Sequence, residues 1–383
     1  MSPGASASGR PALATSTADG PVLEHRDIRY AYSENLPSLL ASLHGSLLLS
    51  THTTGNVVVV NAPQGQLTVS FHTFERPMGM AVRPGWLVVG TRTQVWSLRN
   101  FPDLASRVEP SGHYDACYLT RFSHFTGNIQ CHELAWIAPG LGPSEQGALG
   151  GGGAPELWIV NTLFSCLCAA TASYSFAPRW RPPFVSALTP EDRCHLNGLA
   201  VQDGKPRYVT ALAETDSAQG WRLWKVGGGC LVDVVSNQTV IRGLTMPHSP
   251  RLAGDRLLLL HSGLGQLVMA DPVNGRLETI AALPGYTRGL AVHGPLAFVG
   301  LSKIRTTSSM DGVPIAAQPE RLRCGFAVVD LRTGQVIAYF DFLAGIDELF
   351  DIQILPGSSA PFLSGPFADR GPAPPVWTVP PAR

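Results

Sequence analysis

HLNGLAV, residues 195–201, sets a polar pair and a glycine ahead of an apolar run, and its outline returns along the chain. PMGMAV at 77–82, CHELAWI at 131–137 and TRGLAV at 287–292 repeat it, and MPHSPRL at 246–252 and LFDIQIL at 349–355 are weaker echoes. The six phrases lie about 40 to 65 residues apart, and self-similarity at such a period marks repeated supersecondary units. Between them the text is dense in short β-branched or aromatic runs bounded by Gly, Asn, Asp or Pro, which reads as strands joined by turns. After HLNGLAV come PRYVTALA (206–213), GWRLWKVG (220–227) and CLVDVVS (230–236); after TRGLAV come PLAFVGL (295–301), CGFAVVDL (324–331) and QVIAYFDF (335–342).

Four strands per unit make the blade of a β-propeller, whose first strand lines the central channel. The first unit has no phrase of its own: Leu47–Phe71 supplies three strands, preceded by the helix-like LPSLLASL at 36–43. Asp351–Leu355 would then complete that blade from the C-terminal end and close an all-β ring of six. A seventh blade is the alternative, but too few residues follow Leu355 to build one. The expected organisation is an N-terminal tail over 1–34, one propeller over 35–366, and a Pro-rich C-terminal tail over 367–383. Three inserts interrupt the rhythm, at 139–155, 174–193 and 305–323; the first is Gly-rich and reads as a surface loop, and loops on one rim are placed to cover the channel mouth.

Composition narrows the partners. Charged residues are 15% of the 383, and 28 Lys and Arg balance 28 Asp and Glu. The chain lacks the basic surplus that nucleic acid or an anionic membrane demands, so neither is expected as a partner. Gly 40 and Pro 32 fit a fold of many tight turns. The first 21 residues have no apolar core of the kind an export signal carries, and no 18-residue apolar span occurs. Seven cysteines, at 117, 131, 166, 168, 194, 230 and 324, are an odd count scattered through β-like runs. They read as reduced, buried thiols of a cytoplasmic protein.

The Asn-Gly-Leu-Ala core of HLNGLAV resembles the channel-strand phrase of the six-bladed propellers grouped with gluconolactonase, strictosidine synthase and paraoxonase. A closer resemblance spans most of the chain, from about residue 35 to 366. It rests on PMGMAV, NTLFSCLC, RWRPPFVSALTPEDRCHLNGLA, GLTMPHSPR, GYTRGLAV, FVGLSKIR and FDIQILPG, and it is to an uncharacterised bacterial family of conserved hypothetical proteins. The gluconolactonase-like resemblance implies a divalent metal in the channel held by Asn, Asp and Glu, with Asn197 in the place of one such Asn and Asp351 as a partner. Two corresponding positions here read as histidine instead, which argues against calcium.

Aligning the echoes places Met78, His132, Asn197, His248, Arg288 and Asp351 at the channel, one per blade, with His195 on the same strand face as Asn197. Three histidines from consecutive blades suit zinc, copper or iron, whereas calcium prefers oxygen shells. The expected metal ligands are therefore His132, His195, His248 and Asn197. Glu133 and Asp351 are candidates for general base, and Arg288 is suited to clamp a substrate carboxylate. The function this points to is a metal-dependent hydrolase, lactonase-like, acting on a small molecule or peptide. The alternatives are a copper- or iron-dependent oxidoreductase and a non-enzymatic binding module whose channel is structural.

Overall fold

The computed structural model describes residues 27–138, 155–304, 312–367 and 376–380. The N-terminal tail to residue 26 and nearly all of the Gly-rich insert, 139–154, lie outside them. The described chain folds into six small antiparallel sheets whose innermost strands, Met80–Arg83, Cys131–Ile137, Leu196–Gln202, Pro247–Ala253, Tyr286–His293 and Asp351–Pro356, contact one another in order around a ring. This is a six-bladed β-propeller, as the echoes predict. Blades two to six take their inner strands from the phrases in chain order. Blade one is built from Gly45–Thr51, Asn56–Asn61 and Thr68–Thr73, and the C-terminal Asp351–Pro356 pairs antiparallel with Gly45–Thr51 as its inner strand. The ring is thereby closed by residues some 300 positions apart.

The core consists of apolar clusters between neighbouring blades. Leu47, Leu49, Val58 and Val60 of blade one meet Phe298, Phe326, Phe340 and Phe342 of blade six, with Leu36 and Leu40 of the helix Leu36–Ser42 capping the seam. The runs of buried residues in strands such as Gly45–Thr51, where every residue is buried, reflect sheets covered on both faces.

The structure moves several boundaries. Arg29–Tyr32, assigned to the tail by sequence, adds a fifth, outer strand to blade six by pairing with Gln335–Ala344. Pro361–Ser364 adds a parallel outer strand to blade two, fastened by Asp115, which accepts from Ser358 Oγ at 2.6 Å, Ser359 N at 2.6 Å and Ala360 N at 3.1 Å. GWRLWKVG is not a strand: Gly220–Trp224 is a short 3₁₀ turn, and Gln238–Leu244 is the outer strand of blade four. Within the insert at 174–193, Ala177–Trp180 is the outer strand of blade three. All seven cysteines are buried and unpaired.

Two local devices recur at the mouth ends of the inner strands. The first is a bulge at the echo position: pairing skips His132 in blade three and Asn197 in blade four, and slips at Ser249–Pro250 and Arg288–Gly289 in blades five and six. A bulge re-aims the extra residue, here at the channel. The second explains the glycine of the phrase. A Cβ on Gly79 would lie 2.6 Å from Glu133 Cα, one on Gly198 3.1 Å from Ser249 N, and one on Gly289 2.7 Å from Ile352 N. These partners occupy the corresponding position of the next blade. Blades two, four and six therefore carry glycine where blades three, five and one carry a side chain, and six inner strands fit around a narrow axis.

Candidate active site at the channel mouth

A cavity of about 310 Å³ opens where the N-terminal ends of the inner strands converge. His132 of blade three, His195 and Trp221 of blade four, His248 and Met246 of blade five, Tyr286 and Arg288 of blade six, Phe350, Glu348 and His52 of blade one, and Met78 and Arg76 of blade two line it. The three histidines expected to converge do so. The rings of His132 and His195 meet edge to face with centroids 4.8 Å apart, His132 packs on Phe350 at 5.1 Å, His195 on Trp221 at 4.4 Å, and His248 on Tyr286 at 5.8 Å.

Each imidazole is held through Nδ1. His195 Nδ1 lies 2.9 and 3.0 Å from the two carboxylate oxygens of Asp192, which also accepts from Trp221 Nε1 at 2.9 Å. His132 Nδ1 faces Gln130 O at 3.1 Å and Thr162 Oγ1 at 2.7 Å, and Thr162 donates its own proton to Leu196 O. His248 Nδ1 faces Met246 O at 3.0 Å and Ser262 Oγ at 3.1 Å. A carbonyl or carboxylate can only accept, so Nδ1 carries a proton in all three rings. Among the described residues no Nε2 of the three makes a protein hydrogen bond. Burial holds His132 and His248 well below the ordinary histidine range, reinforced for His132 by the neighbouring His195 and for both by the Arg288 guanidinium. Both are neutral at pH 7.

The carbonyls that fix His132 and His248 come from backbone in the left-handed region. Gln130 (φ 54°) and Met246 (φ 50°) stand two residues ahead of these histidines, and Arg76 (φ 50°) and His195 itself (φ 52°) stand two residues ahead of Met78 and Asn197. Such a conformation costs a non-glycine residue about 1 to 2 kcal/mol, and backbone of this kind concentrates at functional sites.

Three expected site residues are not in the cavity. Glu133, Asp351 and Asn197 lie buried away from it: the bulge that turns His132 to the mouth turns its successor Glu133 the other way, whereas Asn197, itself skipped in pairing, and Asp351, whose strand pairs without a shift, are held by hydrogen bonds among the inner strands. Glu133 pairs with Arg251 and accepts from Leu199 N at 3.0 Å; Asp351 accepts from Met80 N and Ile352 N, both at 2.8 Å, and Gln353 Nε2 at 3.0 Å. Asn197 donates to Pro247 O at 3.0 Å and accepts from Thr210 Oγ1 at 2.7 Å. This structure sets Asn197 as a brace between blades four and five, not beside the histidines. Burial, with the Asp351 charge, raises the Glu133 carboxyl to about 7 even against Arg251, and burial raises Asp351 too. Two buried carboxyls share one guanidinium, so one of them holds a proton near neutrality.

Sequence reasoning missed Asp192, Thr162, Tyr286, Glu348, His52 and Arg251. Tyr286 had a signal, two positions ahead of Arg288 on the same strand; Asp192 enters from a loop and Thr162 from the turn after Glu156–Asn161, and no repeat marks them.

Fold and cavity together define a six-bladed propeller with a histidine-lined site at the mouth of its channel. The chain belongs to the family described as Domain of unknown function (DUF4915), whose model matches residues 34–363. No protein of curated function matches it significantly. Among solved structures it is similar to a chain of the nidogen/laminin complex (9% identity, TM-score 0.48, covering 82% of this chain and 98% of that one). It is also similar to a protein of unknown function from Bacteroides caccae (9%, TM-score 0.44, 81% and 98%) and to the calcium-binding protein regucalcin of Agrobacterium tumefaciens C58 (12%, TM-score 0.42, 69% and 73%). The likeness is one of fold. Among the described residues no helix is long and apolar enough to cross a membrane.

Proposed function

We propose that the channel mouth is the active site of a metal-dependent enzyme acting on a small molecule or peptide end, with hydrolysis as the favoured reaction. One observation carries this reading: three imidazoles from consecutive blades line one cavity, each fixed through Nδ1 and none, among the described residues, with a protein hydrogen bond at Nε2. That is how ligating histidines are oriented in metal sites. Nitrogen donors favour zinc, copper or iron over calcium. Among the described residues no three His, Cys, Asp or Glu side chains stand ready to hold an ion, so binding requires the rings to turn toward a common point. A metal held by His132, His195 and His248 would supply a Lewis acid and an activated water.

The protein's own groups do the rest. Asp192 fixes the tautomer of His195, and Phe350 and Trp221 keep bulk water from the rings. Glu348 and His52, which line the cavity, take the proton-carrying role that sequence reasoning gave to Glu133 and Asp351. Elemental analysis of protein purified without chelators tests the reading. Stoichiometric zinc, copper or iron, lost in His132→Ala and His248→Ala while both variants stay folded by circular dichroism, supports it. A folded, metal-free protein whose melting temperature does not respond to added Zn²⁺ overturns it.

A further inference from the structure

Arg288 is buried, its side chain 6% exposed, yet among the described residues its guanidinium donates no hydrogen bond. One Nη lies 3.6 Å from Glu348 Oε1, beyond hydrogen-bond reach, and Cζ lies 3.4 Å from the centroid of the Phe350 ring, which fixes the plane of the fork. Its donors have no protein hydrogen-bond acceptor among the described residues, and they border a cavity that can admit one. We propose that Arg288 anchors the carboxylate of a small ligand whose remainder meets both apolar and hydrogen-bonding walls. This names the substrate class of the site proposed above and rests on that cavity, but not on a metal.

The charge and shape of the cavity set the class. A planar, rigidly stacked guanidinium reads two coplanar oxygens, which is the geometry of a carboxylate. Glu348, tied to the hydroxyl of Thr53, supplies one negative charge beside Arg288, and a tetrahedral phosphate fits the planar fork less well than a carboxylate. Arg76 and Arg92, the latter 3.5 Å from Glu75, also line the cavity. The rest of the lining mixes Met78, Leu212, Trp221 and Met246 with Asn128, Gln130 and the histidines, which suits a body that is part apolar and part hydrogen-bonding. A volume of about 310 Å³ is at the low end for small-molecule sites and excludes a polymer interior.

Calorimetric titration of the full chain, stripped of metal with chelator, with acetate, benzoate, phenylacetate, phenylacetamide and inorganic phosphate tests this. Saturable binding of at least one carboxylate is expected, with none for the neutral amide and weaker binding for phosphate. Arg288→Met should weaken it at least about tenfold and Arg288→Lys, which keeps charge but loses the fork, by about three- to tenfold. Glu348→Gln should tighten it, an outcome that loss of folding cannot mimic. No binding by any carboxylate, equal binding by Arg288→Lys, phosphate binding more tightly than every carboxylate, or carboxylate binding that appears only when metal is restored would each overturn the proposal. Binding that persists in stripped protein keeps it standing even where the metal reading fails.

Discussion

Asp192 joins two aromatic neighbours of the cavity, accepting from both His195 Nδ1 and Trp221 Nε1. Asp192→Asn keeps the shape but offers the imidazole an amide that can present either end, so the ring loses its fixed tautomer. Zinc affinity measured by competition with a chelating dye should drop by about 10- to 100-fold, with the fold intact. Glu133 yields a different test. Its proton, held up to about pH 7 in the fold, is released near the ordinary 4.5 once the chain unfolds. The folded state therefore binds the extra proton, and this residue's contribution is full below about pH 4.5 and is lost as pH rises to about 7. Urea unfolding across that window should show the decline, at most about 1.4 kcal/mol per pH unit, and Glu133→Gln should flatten it. At this scale the sequence was only half legible. His132, His248 and Arg288 stood out because they sit at echo positions, and His195 because it stands two residues ahead of one. Glu133 was grouped with them because the echo carries no sign of the bulge that turns adjacent residues apart, and Asp351 because it holds the echo position of its own blade.

The inner strands owe their spacing to glycine and their aim to bulges. Gly289 combines φ of 82° with the backbone of Asp351 and Ile352 within 3.0 Å of where a Cβ would stand. Gly289→Ala meets both strain and backbone collision, and chemical denaturation should show a loss of more than about 1 kcal/mol. An unchanged midpoint would mean that the strands do not cross so closely. The run GWRLWKVG shows where element reading fails. Its aromatic and branched apolar residues, bounded by glycines, imitate a strand, yet Trp221 turns in to Asp192 while Leu223 and Trp224 face solvent. Local pattern reports which residues are apolar, and only the partner Asp192 explains why this stretch stops to make a turn instead of pairing.

The whole ring depends on a strand contributed from its far end. Asp351–Pro356 supplies blade one with its channel strand, and Asp115 fastens the segment that follows to blade two. A chain ending before Phe350 should lose cooperative thermal unfolding altogether, because blades one and six would face each other across an open seam; calorimetry showing one sharp transition would refute that closure. The sequence by itself determined the blade count, the closing strand and the set of histidines, since all three follow from hydrophobic period and from a phrase that repeats. Only the tertiary structure decided which polar residues share the cavity, which side of each imidazole is free, and that Arg288 stands without a hydrogen bond. Those outcomes depend on residues from different blades meeting near one axis. That convergence is a property of the closed ring, and no single stretch of the chain records it.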